Sequence, residues 1–123
     1  MNPLGLLLIS GGHERAHYAL MLATAAASLG RPVTLFATNA GCRLLLAAAP
    51  LERDAREAEL ARAGVATIAT LMEAARALEI RCIACEAGLR AEGLEGEALL
   101  AGTERAGIVT FLGAVGSGQV ISL

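Results

Sequence analysis

The apolar and polar positions at the start of the chain predict a strand, then a helix and then a second strand. Residues 4–10 form a nearly unbroken apolar run that Gly11 and Gly12 end, which is typical of a strand covered on both faces. An Ala- and Leu-rich helical pattern follows over residues 13–29. The β-branched and aromatic run 33–38 predicts a second strand, so these residues make a βαβ unit with parallel strands.

The middle of the chain has weaker patterns. Residues 42–49 and 52–63 predict two short peripheral helices, each ended by a helix-breaking residue. Thr70 and Glu73 have the spacing of a capping box, so we expect a third helix that begins between residues 67 and 70 and ends near Leu78.

The last part of the chain returns to strand patterns. Residues 80–84 predict a strand, and Cys85 follows directly, before a short helical pattern over residues 86–92. Residues 106–114 predict another helix and residues 119–123 a last strand. This order indicates a single α/β domain over residues 1–123, a three-layer sandwich in which helices flank a mainly parallel central sheet.

The composition narrows the class of protein. Hydrophobic residues make up 55% of the chain and aromatic residues only 2%, so the core must consist of Leu, Ala, Val and Ile. Charged residues make up 18%, which is little for a small monomer, and we therefore expect an oligomer. A net charge of -2, with one Tyr and no Trp, argues against nucleic acid as a partner. The apolar runs are too short to span a membrane and lack a basic flank, so we expect a cytoplasmic protein.

Cys85 is the strongest candidate for a reactive group. In an open parallel sheet, functional residues gather at the carboxyl ends of the strands, and loops 10–13 and 39–42 should lie along that edge with Cys85. The first turn of the following helix would offer free N–H groups and a partial positive charge, which both favour a thiolate, the nucleophilic form. Glu86 acts in the opposite sense, and the alternative is a small buried cysteine that only packs.

The other two cysteines have different predicted roles. Cys82 and Cys85 match Cys-x-x-Cys, the spacing of redox dithiols and of zinc half-sites. If the strand stays extended, its alternation sends these two side chains to opposite faces of the sheet, so we interpret Cys82 as a core residue. Cys42 follows the second strand at the same edge as Cys85, where it is either a resolving or accepting thiol or a cysteine packed under a short helix.

Residues 13–17 read His-Glu-Arg-Ala-His, a literal match to the His-Glu-x-x-His motif of zinc peptidases. The two histidines would share one helix face, but the following residues supply no third ligand and the chain is small for a peptidase cleft. We therefore predict no metal and no cofactor. Instead, we expect His13 to stabilise a Cys85 thiolate, and His13, Gly12 and Asn39 to bind substrate at the strand edge.

The order of these elements resembles the DsrE/DsrF-like family, including its DrsH-like branch. The resemblance is carried by the stretches AHYALMLATAAASLGRPVTLFATNAG, EIRCIACEAGLRAEGL and ERAGIVTFLGAVGSGQVISL, which together span most of the chain. Members of this family are small α/β proteins that form homo- or hetero-oligomers, often trimers or hexamers. Several carry sulfane sulfur as a cysteine persulfide, whereas many lack the cysteine or have no established activity.

For this chain, the resemblance implies a role for Cys85, which matches the family's sulfur-carrying cysteine after the third core strand and before a short helix. The first hypothesis is therefore a sulfur carrier or sulfurtransferase, in which Cys85 takes sulfur from a donor protein and passes it to an acceptor protein. Cys42 would be its internal partner. The second hypothesis is a non-catalytic oligomeric or regulatory binding subunit of the same fold, and the third is a zinc hydrolase that uses His-Glu-x-x-His.

Overall fold

The central element of the computed structural model, which describes all of residues 1–123, is a parallel sheet with helices on both faces. Its strands are β1 (Leu4–Leu8), β2 (Val33–Ala37), β3 (Arg81–Cys85), β4 (Glu104–Ala106) and β5 (Gln119–Ser122). They lie in the order β4-β3-β2-β1-β5, and every neighbouring pair is parallel. The α/β sandwich expected from the sequence is confirmed.

Five α-helices connect and cover the strands. They are α1 (His13–Ser28), α2 (Arg56–Arg62), α3 (Ile68–Ala77), α4 (Glu86–Ala91) and α5 (Ile108–Val115). Two 3-10 helices, Asn39–Leu45 and Pro50–Arg53, precede α2. None of the helices combines the length and the apolar character that a bilayer span requires.

The two peripheral helices predicted before residue 64 differ from those observed. The first is a 3-10 helix that begins at Asn39, because the Gly41 N–H donates to the carbonyls of Thr38 and Ile9 at 2.9 and 3.0 Å and so fixes a tight turn directly after β2. The second is interrupted at Asp54, which has extended backbone angles and whose carboxylate accepts the Arg56 N–H at 2.9 Å. A side chain bonded to the backbone in this way ends one helix and starts the next.

Two further details of the sequence prediction are wrong. The residue that caps α3 is Thr67, whose hydroxyl oxygen accepts the Thr70 N–H at 3.2 Å, so Thr70 and Glu73 form no capping box. Strand β4 was not predicted, because it has three residues and exposes its charged side chains. It is held at the sheet edge by backbone pairing and by two hydrogen bonds of 2.6 and 2.9 Å from Arg81 to Glu104.

The two faces of the sheet have unequal cores. A cluster of 19 buried residues, mostly Leu and Ala, lies between the sheet and the layer that contains α1 and α3. The opposite face has a cluster of five buried residues, Phe36, Ile83, Cys85, Phe111 and Val115. Only α5 contributes helical residues to this smaller cluster, which we call the α5 cluster, and the rings of Phe36 and Phe111 stack in it with centroids 5.0 Å apart.

Candidate functional site

The carboxyl ends of β1, β2 and β3 meet at one edge of the sheet, as expected from their parallel pairing. The loops that follow them approach each other backbone to backbone. A side chain at Gly41 would collide with the Leu8 carbonyl, and one at Gly88 would collide with the backbone of Thr38 and Asn39. Glycines at these positions therefore allow the three loops to close into one continuous surface.

Cys85 lies on this edge, as the last residue of β3 and the N-cap of α4. Its Sγ accepts the backbone N–H of Gly88 at 3.3 Å. The side chain packs in the α5 cluster, and the residue is only 6% exposed. The predicted junction of strand and helix is confirmed, and the sulfur there is enclosed on most sides.

Cys42 is fully buried under the same edge, in the first 3-10 helix. Its S–H donates to the Ala37 carbonyl at 3.5 Å. Burial, together with negative charge at Cys85 and at Glu92, raises the pKa of Cys42 to about 11. Cys42 is therefore a neutral thiol near pH 7, and it lies close enough to Cys85 to respond to its charge.

Cys82 packs against the larger core, whereas Cys85 belongs to the α5 cluster. The prediction that strand alternation sends their side chains to opposite faces of the sheet is confirmed. Burial raises the pKa of Cys82 to about 11, so it too is a neutral thiol near pH 7. All three cysteines are free, and Cys82 and Cys85 do not form the dithiol that their spacing suggests.

The imidazole of His13 is bound to Glu57. Its Nε2 lies 2.7 Å from Glu57 Oε1, and the carboxylate also accepts the N–H groups of Ile68 and Ala69 at 2.8 and 3.3 Å. Burial alone would raise the pKa of Glu57, but the hydrogen bond from His13 and the two backbone donors outweigh it and hold that pKa below 4.5. Strand β2 lies between β1 and β3, so β1 and β3 are about 10 Å apart at the usual strand spacing. His13 follows β1 and Cys85 ends β3, and the structure does not bring the two side chains together.

The second histidine of the His-Glu-x-x-His segment is also bound elsewhere. His17 Nε2 donates to the Ala66 carbonyl at 2.8 Å. Its ring stacks on that of His13 with centroids 5.9 Å apart and planes 13° from parallel. No group of three or more His, Cys, Asp or Glu side chains is arranged to hold a metal ion. The zinc-hydrolase hypothesis therefore has no ligand set to support it.

The sequence of this chain matches a known protein family over nearly its whole length. The model of the DsrE/DsrF-like family matches residues 5–123. The chain belongs to this family. Two solved structures are similar over 100% of both chains: the ychN protein from E. coli, with 17% identity and a TM-score of 0.74, and a protein of unknown function from Methanobacterium thermoautotrophicum, MTH1491, with 14% identity and a TM-score of 0.59. At these identities the likeness concerns the fold, and no curated protein matches the sequence.

In this DsrE/DsrF-like chain, the other predicted substrate-binding residues lie on the same edge as Cys85. Gly12 is exposed and is the N-cap of α1, where it provides no side-chain hydrogen bond. Asn39 is also exposed and has a φ of 50°, a left-handed conformation that Asn tolerates better than most residues. Gly12 and Asn39 are therefore accessible at the rim of this edge, whereas His13, which follows Gly12 in the chain, is buried.

Sequence reasoning missed two residues with contacts near the predicted site residues, Gly88 and Glu57. Gly88 brings α4 against the backbone after β2 and gives its N–H to Cys85. A glycine in the first turn of a short helix was a signal for such a close approach. Glu57 lies in the predicted peripheral helix over residues 52–63, and no local pattern indicates its contact with His13, which is 44 residues away in the sequence.

Proposed function

We propose that this protein is a sulfur-relay protein that carries sulfane sulfur as a persulfide on Cys85. The DsrE/DsrF-like family, to which the chain belongs, is associated with sulfur relay. The observation that carries the proposal is the position of Cys85 at the end of β3, with the Gly88 N–H directed at its sulfur. Cys42 and Cys82 are neutral thiols near pH 7 and therefore weaker nucleophiles than a thiolate.

The proposed transfer needs no oxidant or reductant. The Cys85 thiolate attacks the outer sulfur of a persulfide on a donor protein, the sulfur–sulfur bond of the donor breaks, and the donor thiolate leaves with the electron pair. An acceptor thiolate then attacks the outer sulfur on Cys85, which leaves as a thiolate in turn. The Gly88 N–H can donate to the inner sulfur in both steps, because that sulfur is the nucleophile in the first and the leaving group in the second.

Cys42 is the proposed internal partner of Cys85. Attack of its thiolate on the inner sulfur of a Cys85 persulfide would form a Cys42–Cys85 disulfide and release hydrogen sulfide. The raised pKa of Cys42 keeps the thiolate fraction small near pH 7, so this discharge would be slow and the persulfide would persist. Gly12 and Asn39, on the exposed rim of the edge, are the proposed contacts for the donor or acceptor protein.

Intact mass spectrometry after exposure of the reduced protein to polysulfide tests the proposal. We expect the wild type, Cys82→Ser and Cys42→Ser to gain mass in steps of one sulfur atom, and Cys85→Ser to gain none. The Cys82→Ser variant is the matched control, because it removes a thiol three positions away on the opposite face of the sheet. No addition to the wild type, or undiminished addition to Cys85→Ser, would contradict the proposal and favour a non-catalytic binding subunit.

We also propose that the protein is a homo-oligomer, a trimer or hexamer, assembled through the outer face of α5. This face exposes Ile108, Val109 and Leu112, which are 44%, 80% and 53% exposed. Three neighbouring apolar side chains on one short helix make a patch that a second copy could cover. Because the inner face of α5 packs in the cluster that contains Cys85, assembly there would also determine how donors approach the sulfur.

A further inference from the structure

Helix α5 is the only helix that covers Cys85 on its side of the sheet. The sulfur packs in the α5 cluster, to which Phe111 and Val115 are the helical contributors, and the residue is only 6% exposed. None of the pockets of the molecule is lined by Cys85. A close-packed interior has no space for an added sulfur atom, and less still for a donor group behind it. With α5 in this position, a reagent therefore has no open route to the sulfur.

The other elements around Cys85 are fixed by backbone contacts. Strand β3 is paired on both sides, with β2 and with β4. Helix α4 lies against the backbone that follows β2, where a side chain at Gly88 would collide, and it also packs on the first 3-10 helix. Access to the sulfur therefore depends on the position of α5.

Helix α5 is attached to the rest of the molecule by apolar packing alone. Strand β4 ends at Ala106, and β5 begins at Gln119, whose N–H donates to the Pro3 carbonyl at 3.0 Å. Between these strands, residues 107–118 make backbone hydrogen bonds only with one another. None of their side chains forms a hydrogen bond or an ion pair. A displacement of α5 therefore breaks no hydrogen bond and loses only the apolar contacts of its inner face.

A glycine lies at each end of α5. Gly107 is the N-cap of the helix, and Gly116 is its C-cap, with a φ of 57°. A side chain at either position would meet no other atom within 4 Å, so neither glycine is required for a close approach. Backbone freedom at the two ends of an element is typical of a hinge. Helix α5 can turn about these two residues while β4 and β5 stay in the sheet.

We propose that α5 is a lid over Cys85, and that the sulfur reacts only when α5 swings away from the sheet about Gly107 and Gly116. Opening exposes the apolar side chains of the α5 cluster to water, so the closed form is the more populated one. The inference rests on the proposed function only for the choice of Cys85 as the reacting sulfur. Access to that sulfur is measurable with a reagent that carries no sulfane sulfur.

Alkylation of the native wild-type protein with iodoacetamide, followed over time by peptide mass mapping, tests the lid. Opening of one short helix exposes little surface, so the rate at Cys85 should change little at low concentrations of urea. The rate at Cys42, which is fully buried in the larger core, should rise steeply with urea, because its exposure requires global unfolding. An equally steep rise at Cys85, or alkylation of Cys85 as fast as in the unfolded chain, would overturn the proposal.

Two core variants make the test specific. Phe111→Leu keeps an apolar residue but weakens the packing under the lid, so the rate at Cys85 should rise by about tenfold, with no change at Cys82 on the opposite face. Ile68→Val loosens α3 in the larger core without contact to the lid, so it should lower global stability and leave the rate at Cys85 unchanged. Both variants leave the outer face of α5, the proposed assembly surface, unaltered.

Two results with these variants would contradict the lid. Equal acceleration at Cys85 in Phe111→Leu and Ile68→Val would mean that the sulfur becomes accessible through unfolding of the whole protein. No acceleration in Phe111→Leu would mean that α5 does not control access. Alkylation of Cys85 with the expected dependence on urea, in a protein that gains no mass from polysulfide, would support the lid and contradict only the sulfur relay.

Discussion

The carboxylate of Glu57 accepts hydrogen bonds from two elements other than its own helix. His13 at the start of α1 donates to one oxygen, and the N–H groups of Ile68 and Ala69 at the start of α3 donate to the two oxygens. A single side chain on α2 therefore joins the amino termini of two helices that pack against each other. Acidic groups at helix amino termini stabilise them through the free N–H donors and the helix dipole.

We expect Glu57→Gln to lower the free energy of unfolding near pH 7 by about 1–3 kcal/mol, because a neutral amide accepts these bonds less well and leaves His13 without a charged partner. The pKa of Glu57 lies below its unfolded value of 4.5 in the folded protein. Its contribution is therefore fully present above pH 4.5 and is lost as the pH falls through the folded pKa, so the two proteins should become closer in stability in acid. Urea unfolding at several pH values measures the difference.

Glu59→Gln is the control for this prediction, since Glu59 is on the same helix but forms only an exposed pair with Arg56. Exposed ion pairs contribute little, and its loss should change stability by less than about 0.5 kcal/mol. If Glu57→Gln and Glu59→Gln behaved alike, or if the effect of Glu57→Gln grew in acid, the role given to Glu57 would be wrong.

Helix α4 owes its position to a glycine rather than to its length. It has six residues, too few for a stable isolated helix, and its first turn lies against the backbone that follows β2. At Gly88 a methyl group would have to displace the backbone of Thr38 and Asn39, which cannot move as a flexible side chain can. The same residue holds the Cys85 sulfur through its N–H, so packing and chemistry at this element are coupled.

We therefore expect Gly88→Ala to destabilise the protein by about 1–3 kcal/mol, although alanine is the better helix former. The variant should also take up sulfur from polysulfide more slowly, because α4 must shift away from Cys85. Gly96→Ala is the matched control, since a methyl group there meets no other atom. Urea unfolding and the rate of mass gain measure both effects, and a Gly88→Ala protein that matched Gly96→Ala in both would show that the close approach is unimportant.

The elements differ in how well the sequence indicates them, for reasons visible at particular residues. Strands β1 and β2 and helix α1 were predicted because residues 4–37 have long apolar patterns that only a buried sheet and its covering helix satisfy. The position of Cys85 was predicted from the change of pattern at residue 85. Strand β4 could not be predicted, because its partner residues in β3 are 21 positions earlier in the sequence and its charged side chains are exposed. The contact of Glu57 with His13 likewise depends on the folded chain, which no local pattern contains.

At the scale of the whole molecule, the sheet is covered unequally. One face is covered by α1, α3 and their neighbours over a cluster of 19 buried residues, and the other by α5 over a cluster of five. The inner side of α5 packs closely, because a side chain at Gly5 of β1 would collide with Phe111 and Val115. Its outer side is nevertheless apolar and exposed. This asymmetry agrees with the high hydrophobic fraction of the chain and is the physical basis of the proposed oligomer.

Charge on the outer face of α5 should prevent assembly. We expect the wild type to sediment as an oligomer and Val109→Glu, at a side chain that is 80% exposed, to sediment as a folded monomer, because a carboxylate buried between copies costs several kcal/mol. Leu29→Glu is the control, since Leu29 is 72% exposed at the far end of α1 and should leave the oligomer intact. Analytical ultracentrifugation distinguishes the species, and circular dichroism checks that each variant is folded. A monomeric wild type would contradict the proposed oligomer. An oligomer that survives Val109→Glu but not Leu29→Glu would place the interface away from α5 and remove the reason to connect assembly with access to Cys85.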